Sequence, residues 1–236
     1  MEPLEPWSIR AVNLPEHANN AVHTDDGARA AGHERALVAG TTIHAYLTHV
    51  PAAAWGLDWL ERGGGEVRFR SPVFDDDLVD IVPIVDDDRT IVEARSRGER
   101  RATLDVWLDA AEPDGMRGDP LPAFEVQLDG ELAAYGKRAG DDLVLYEQRG
   151  IVHPVMATVL GNRATMASVV DGPWIHVRSL VTHRGTLPLG APAVVESSLV
   201  ERFATRAGER ALLDVRIVVD GRVLTAIEHE SIVRIA

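Results

Sequence analysis

The chain has 236 residues, with 24 Lys and Arg against 37 Asp and Glu, for a formal net charge of −13. That balance argues against nucleic acid as a partner, because phosphate binding draws on clustered cations. With 45% apolar and 26% charged residues the composition is that of a folded globular protein. The lack of cysteine removes disulfides, thiolate metal sites and Cys nucleophiles together and fits a reducing compartment.

The first residues, MEPLEPWSIR, are acidic and hold no apolar h-region, and no apolar run approaches the roughly 18 residues that would span a bilayer. The expectation is a cytoplasmic protein without membrane contact. An extended segment, Trp7 to Leu14, leads into a polar stretch holding Asn19, Asn20, His23, Asp25 and Asp26. From Gly40, residues Ile43, Tyr46, Leu47, Val50 and Ala54 fall on one stripe of a buried helix, which Pro51 is expected to kink or split. Trp55 and Trp59 lie four apart on one face of its continuation, and Gly63-Gly64-Gly65 ends it.

Strand patterning follows: EVRFRSPVF, then LVDIVPIV broken at Pro83, a turn at Asp86-Asp87-Asp88, TIVEARSR, a turn at Gly98, and RRATLDVWLDA. Glu112 to Pro122, rich in Gly and Pro, reads as a linker. The second half repeats the plan. His153-Pro154 opens the helix VMATVLGNRATMASVV, and WIHVRSLVTH, AVVESSLVERFATR, RALLDVRIVVD and RVLTAIEHESIVRI read as strands, with a tight turn at Asp220-Gly221. Gly98-Glu99-Arg100 followed by Leu104-Asp105-Val106 recurs as Gly208-Glu209-Arg210 followed by Leu213-Asp214-Val215, an offset of about 110 residues that sets Gly40 against Gly150.

The predicted class is α+β: two helix-plus-antiparallel-sheet units, residues 1–115 and 116–236 with the linker in the second, sharing one continuous sheet with a central helix in each. This layout resembles the hotdog fold, and its tandem copy resembles the double hotdog.

Asn20-Ala21-Val22-His23-Thr24-Asp25, then Ala28, Gly32 and Leu37-Val38-Ala39-Gly40, resembles the active-site segment of the MaoC-like hydratases and dehydratases. That segment runs Asp, any residue, Asn, Pro, aliphatic, His, any residue, Asp. Asn20, Val22, His23 and Asp25 match at the right spacing, and Gly40 matches the glycine opening the central helix. The pattern's catalytic Asp falls on Ala18 and its Pro on Ala21, and the segment lies in the first copy rather than the second. Glu16, His17, Asp25 and Asp26 are the nearby groups that could take over the missing acid's work.

The resemblance implies a lyase that hydrates an enoyl thioester or dehydrates a 3-hydroxyacyl thioester of coenzyme A or a carrier protein. His23, Asn20 and Asp25 would form the catalytic set, and Gly40 and Thr41 would hold the thioester. The chemistry itself asks for a proton carrier near neutrality, which His supplies, and for donors at the thioester oxygen, which N–H groups at a helix start supply. Asp25 could fix the imidazole tautomer, and Asn20 could orient His23 or hold a water. A hotdog thioesterase using Asp25 or Asp26 and a non-catalytic acyl-binding protein are the competing readings.

Plainer roles stand beside these. Asp25 and Asp26 read equally well as first-turn acids of a short helix, and His44 and His49 as satisfied helix histidines. Arg68, Arg70 and Arg178 are the cations that could meet a coenzyme A phosphate. No cofactor or metal is expected, the partner is a small-molecule acyl thioester, and assembly into a homodimer stays open.

Overall fold

The computed structural model describes residues 2–86, 89–111, 115–170 and 172–235. In chain order the strands are β1 (Trp7–Arg10), β2 (Gly64–Phe69), β3 (Leu78–Asp86), β4 (Arg89–Ser96), β5 (Glu99–Trp107), β6 (Asp119–Gln127), β7 (Ile175–His183), β8 (Pro192–Thr205), β9 (Gly208–Val219) and β10 (Arg222–Ile235). The helices are α1 (Asp25–Ala30), α2 (Gly40–Arg62), α3 (Gly130–Ala133), α4 (Tyr135–Arg138), α5 (Leu145–Arg149) and α6 (Met156–Ser168), and 3₁₀ turns lie at Pro15–His17 and Ala21–His23. None of the helices among the described residues is long and apolar enough to cross a membrane.

All ten strands join one sheet in the order β1-β3-β4-β5-β2-β7-β10-β9-β8-β6. The first five occupy one half and the last five the other. The halves meet at an antiparallel seam in which Gly64 to Arg68 of β2 pair with Thr182 to Arg178 of β7. Alternating apolar residues such as Val79 and Ile81 of β3 and Leu213, Val215 and Ile217 of β9 are fully buried, and they form a single core with the two long helices.

The expected stripe on α2 is wider than its apolar spacing suggests, because residues 41–52 are buried on every side. The polar groups in that run are satisfied: Thr41 and Thr42 meet Tyr135, His44 meets Thr158, Thr48 donates to the carbonyl of Ala45, and His49 meets Asp141. Asp141 is shared, since its other oxygen lies 2.8 Å from His153 Nε2. Both histidines thus read as structural, as the sequence suggested for His49.

Four local expectations change. The helix runs through Pro51, and the departure from helical geometry falls at Gly56 (φ 51°, ψ −132°), where glycine alone enters the left-handed region without strain. Trp55 and Trp59 flank that break, so they do not share a face: Trp59 is in the core while Trp55 reaches the carbonyl of Glu2. Pro83 does not break β3, because β1 covers only Leu78 to Ile81 and the strand is an open edge beyond, where a missing N–H costs no ladder bond. The presumed linker contains a strand as well, β6, whose Pro120 and Pro122 are accommodated at the outer edge of the sheet. Its residues 112–114, and residues 87 and 88 of the predicted acidic turn, lie outside the described residues.

The repeat is real as a plan but not in the register its text suggested. Isolated bridges pair Leu37 with Phe74 and Ile151 with Pro188, so Leu37 corresponds to Ile151 (151 − 37 = 114) and Gly40 to Pro154 rather than Gly150. The β4–β5 turn has Arg97 at φ 53° and Gly98 at 76°, and its counterpart between β9 and β10 has Asp220 at 49° and Gly221 at 72° (221 − 98 = 123). The second Gly-Glu-Arg, at Gly208, opens β9 instead, so the two identical tripeptides occupy non-equivalent turns.

Candidate active site

A cavity of about 890 Å³ lies between the two units, bounded by the turn around His23, the start of α2, the end of β2 and, from the second unit, α3, α4, α6 and Trp174. His23, Asn20, Gly40 and Thr41 all line it, and Asp25 does not.

The loop bearing His23 is pinned by its backbone. Leu37 N donates to the Val22 carbonyl at 3.0 Å, and Asn13 Nδ2 donates to the His23 carbonyl at 2.8 Å. Helix α1 closes onto this turn so tightly that a Cβ on Gly27 would sit 2.1 Å from the Ala21 carbonyl oxygen. The His23 ring is held as well: its Nδ1 lies 2.8 Å from the carbonyl oxygen of Leu37. A carbonyl only accepts, so Nδ1 carries the proton and Nε2 keeps its lone pair. Burial lowers the proton affinity of His23 below the ordinary imidazole value, outweighing the opposing pull of the Leu37 carbonyl.

Leu37 therefore fixes the tautomer, in the role suggested for Asp25. The Asp25 carboxylate is occupied elsewhere, accepting from Ala36 N at 2.9 Å and from Arg29 at 3.0 Å, and Asp26 also faces Arg29. Both are first-turn acids of α1, whose N-cap is Thr24. Spacing along the chain could not reveal this, because α1 turns its acidic first residues away from the cavity.

Asn20 donates through Nδ2 to the carbonyl of Trp174 at 3.2 Å, and its buried Oδ1 has no partner among the described residues. It ties the two units together and offers one unused acceptor; the orientation of His23 comes from Leu37 instead. At the start of α2 the first N–H groups have no intrahelical acceptor, and the cap residue Ala39 supplies none from its side chain. A Cβ on Gly40 would lie 3.3 Å from Phe69 Cζ, so glycine keeps this entrance to the helix dipole open.

A second imidazole reaches the same cavity. His17 lies with its ring centroid 5.6 Å from that of His23 and its Nε2 2.9 Å from Tyr135 Oη, which also contacts Thr41 Oγ1 at 2.8 Å and Thr42 Oγ1 at 2.9 Å. Burial, with the neighbouring His23 second, lowers His17 to about 4, and burial raises the Tyr135 phenol to about 12, so both are neutral at pH 7. Of the other proposed substitutes for the missing acid, Glu16 is held by Arg138 at 2.8 Å; Ala18, where the pattern places that acid, is exposed and does not line the cavity. Among the described residues no carboxylate is hydrogen-bonded to His23.

Tyr135 and Thr42 carried no motif signal, and Leu37, part of the matched segment only as an aliphatic residue, acts through its backbone carbonyl; Tyr135 comes from the other unit. Trp174 lines the cavity as well. Arg178 is neutralised by Glu66, Glu228 and Glu230, and Arg68 by Glu66, whereas Arg70 lines the cavity.

The ten-stranded sheet with a central helix in each half is a double hotdog. Solved structures match most of the chain. A MaoC-like dehydratase is 15% identical, with 98% of each chain covered and a TM-score of 0.61. The Mycobacterium tuberculosis protein RV0216, described as having a double hotdog fold, is 8% identical, with 98% of this chain and 96% of that one covered and a TM-score of 0.65. The acyl-CoA thioesterase II TesB2 of Mycobacterium marinum is 12% identical over 83% of this chain and 90% of its own, at a TM-score of 0.52. No protein-family model and no curated protein matches the sequence.

Proposed function

We propose that the cavity takes an acyl thioester of coenzyme A or a carrier protein and that His23 catalyses reversible dehydration of its 3-hydroxyacyl form. The observation that carries this reading is the fixed tautomer of His23, a base with a free Nε2 in a cavity that also holds the open start of α2. In the dehydration direction Nε2 takes the α-proton, and the electron pair moves toward the thioester carbonyl, whose oxygen is met by the Gly40 and Thr41 N–H groups. The C–O bond then breaks, and the same proton passes from Nε2 to the departing hydroxyl, leaving as water. Because burial weakens His23 as a base, its imidazolium gives that proton up readily. Hydration runs the same steps backwards, and the side chains and amides supply all the groups they use.

The test is a spectrophotometric assay of crotonyl-CoA and longer enoyl thioesters, following loss of the conjugated enoyl absorbance with free thiol measured in parallel. Loss of absorbance without thiol release supports a lyase, and thiol release with neither hydration nor dehydration points to a thioesterase. The thioesterase reading has less support from the site, since Asp25 and Asp26 do not line the cavity. A non-catalytic acyl-binding role has one specific observation in its favour, that no carboxylate among the described residues is hydrogen-bonded to His23. Tight thioester binding with no turnover in either assay would establish that role instead.

A further inference from the structure

A dehydratase must hold the β-oxygen in place while the α-proton is removed, and one base does not do both. We propose that His17 holds it, donating a hydrogen bond from Nδ1–H to the substrate's β-hydroxyl, or to water in the hydration direction. This rests on the reading of the cavity as a dehydratase site.

The hydrogens around Tyr135 Oη decide which nitrogen of His17 is protonated. That oxygen has three neighbours, Thr41 Oγ1, Thr42 Oγ1 and His17 Nε2, at 2.8, 2.9 and 2.9 Å. Each contact takes one hydrogen, and the two threonines and the tyrosine bring three. Thr41, Thr42 and Tyr135 are all buried, and neither threonine hydroxyl has another partner among the described residues. A hydrogen on His17 Nε2 would make four for three contacts and leave one buried threonine hydroxyl without an acceptor in the cluster. The arrangement without a stranded donor has both threonines donating to Tyr135 and Tyr135 donating to Nε2. The neutral His17 ring then carries its hydrogen on Nδ1, for which no protein acceptor is found among the described residues.

Of the histidine rings lining the cavity, His23 and His17 thus present opposite functions. His23 offers a lone pair, fixed by a carbonyl, and His17 offers an N–H, fixed by a hydroxyl cluster, with ring centroids 5.6 Å apart. His17 stays neutral throughout: the proton that moves is the one shuttled by His23, and the Nδ1–H bond is not broken. Tyr135 also links His17 to the start of α2, because Thr41 and Thr42 contact the same hydroxyl.

Two measurements test this. In a His23→Gln background, which slows turnover by about 10² to 10⁴, calorimetry should show 3-hydroxybutyryl-CoA binding about fivefold to tenfold more tightly than butyryl-CoA, the worth of one neutral hydrogen bond. Adding His17→Leu should erase that preference, and His17→Asn, which keeps a donor near the Nδ1 position, should restore part of it. A preference unchanged by His17→Leu overturns the assignment of His17 while leaving the dehydratase reading standing. Failure of both thioesters to bind overturns that reading and this inference with it. Should the leucine variant not fold, ¹⁵N NMR of the unaltered protein decides: His17 should give the Nδ1–H tautomer, and the Nε2–H tautomer would overturn the proposal.

Discussion

The Leu37 carbonyl accepts the Nδ1 proton of His23 at 2.8 Å, so a backbone atom sets which nitrogen of the presumed base is free. No side-chain motif encodes that partner. Its consequence is a pH profile. The neutral ring is the active form, and burial places its titration below the ordinary value of 6.5. The acid limb of kcat/KM should therefore lie below pH 6.5, with full activity through neutrality. A limb above 6.5 would contradict the environment described for His23.

Gly27 tests how rigidly the turn must be held. Its missing Cβ would fall 2.1 Å from the Ala21 carbonyl oxygen, so Gly27→Ala must push α1 off the turn that ends at His23. Displacement of a catalytic group by about 1 Å costs on the order of a hundredfold in rate, whereas overpacking costs about 1–3 kcal/mol. We expect kcat/KM to fall by roughly that hundredfold, with the protein still folded in a thermal melt. Unaltered kinetics would show that the turn is not the support of the site.

Asp25 separates the resemblance from the geometry. If its carboxylate serves Ala36 N and Arg29 rather than His23, Asp25→Asn should lower the melting temperature slightly and leave kcat within about twofold, far from the 10²-fold or greater loss of a catalytic acid. A loss of that larger size would restore Asp25 to the catalytic set.

Acid should unfold this protein early. Burial holds His44 at about 3, His229 at about 3 and His183 at about 4. For each, the unfolded chain binds a proton that the folded one refuses, so stability is complete above the unfolded value near 6.5 and declines as pH falls toward the folded values. At pH 5 each contributes a loss of up to about 2 kcal/mol. Urea melts at pH 7 and pH 5 should differ by several kcal/mol in unfolding free energy, and superimposable curves would contradict the neutral burial of these rings.

Much of the fold could be read from the sequence, because periodicity reports burial directly: the strands of the second unit and both central helices lie close to where the patterns place them. Details fixed by tertiary context could not. Pro83 and Pro120 looked like strand breakers until the neighbours of β3 and β6 showed them at open edges. The Gly-Glu-Arg repeat led to the right number of units through the wrong residues, since a surface turn is free to carry the same tripeptide at a non-equivalent position. At the site, Asn20, His23, Gly40 and Thr41 all line one cavity, whereas Asp25 does not. Tyr135 did not announce itself, because it reaches Thr41 from 94 positions away along the chain, a distance that no local pattern spans. His17 was one of several nearby candidates, and only its contact with Tyr135 distinguishes it from Glu16.

The account turns on His23, and His23→Gln tests it most directly. With hydration of an enoyl thioester as the assay, kcat should fall by about 10² to 10⁴, the usual worth of a positioned proton carrier, while thioester binding persists and the melting temperature moves by only a few degrees. Turnover equal to that of the unaltered protein would contradict the central claim.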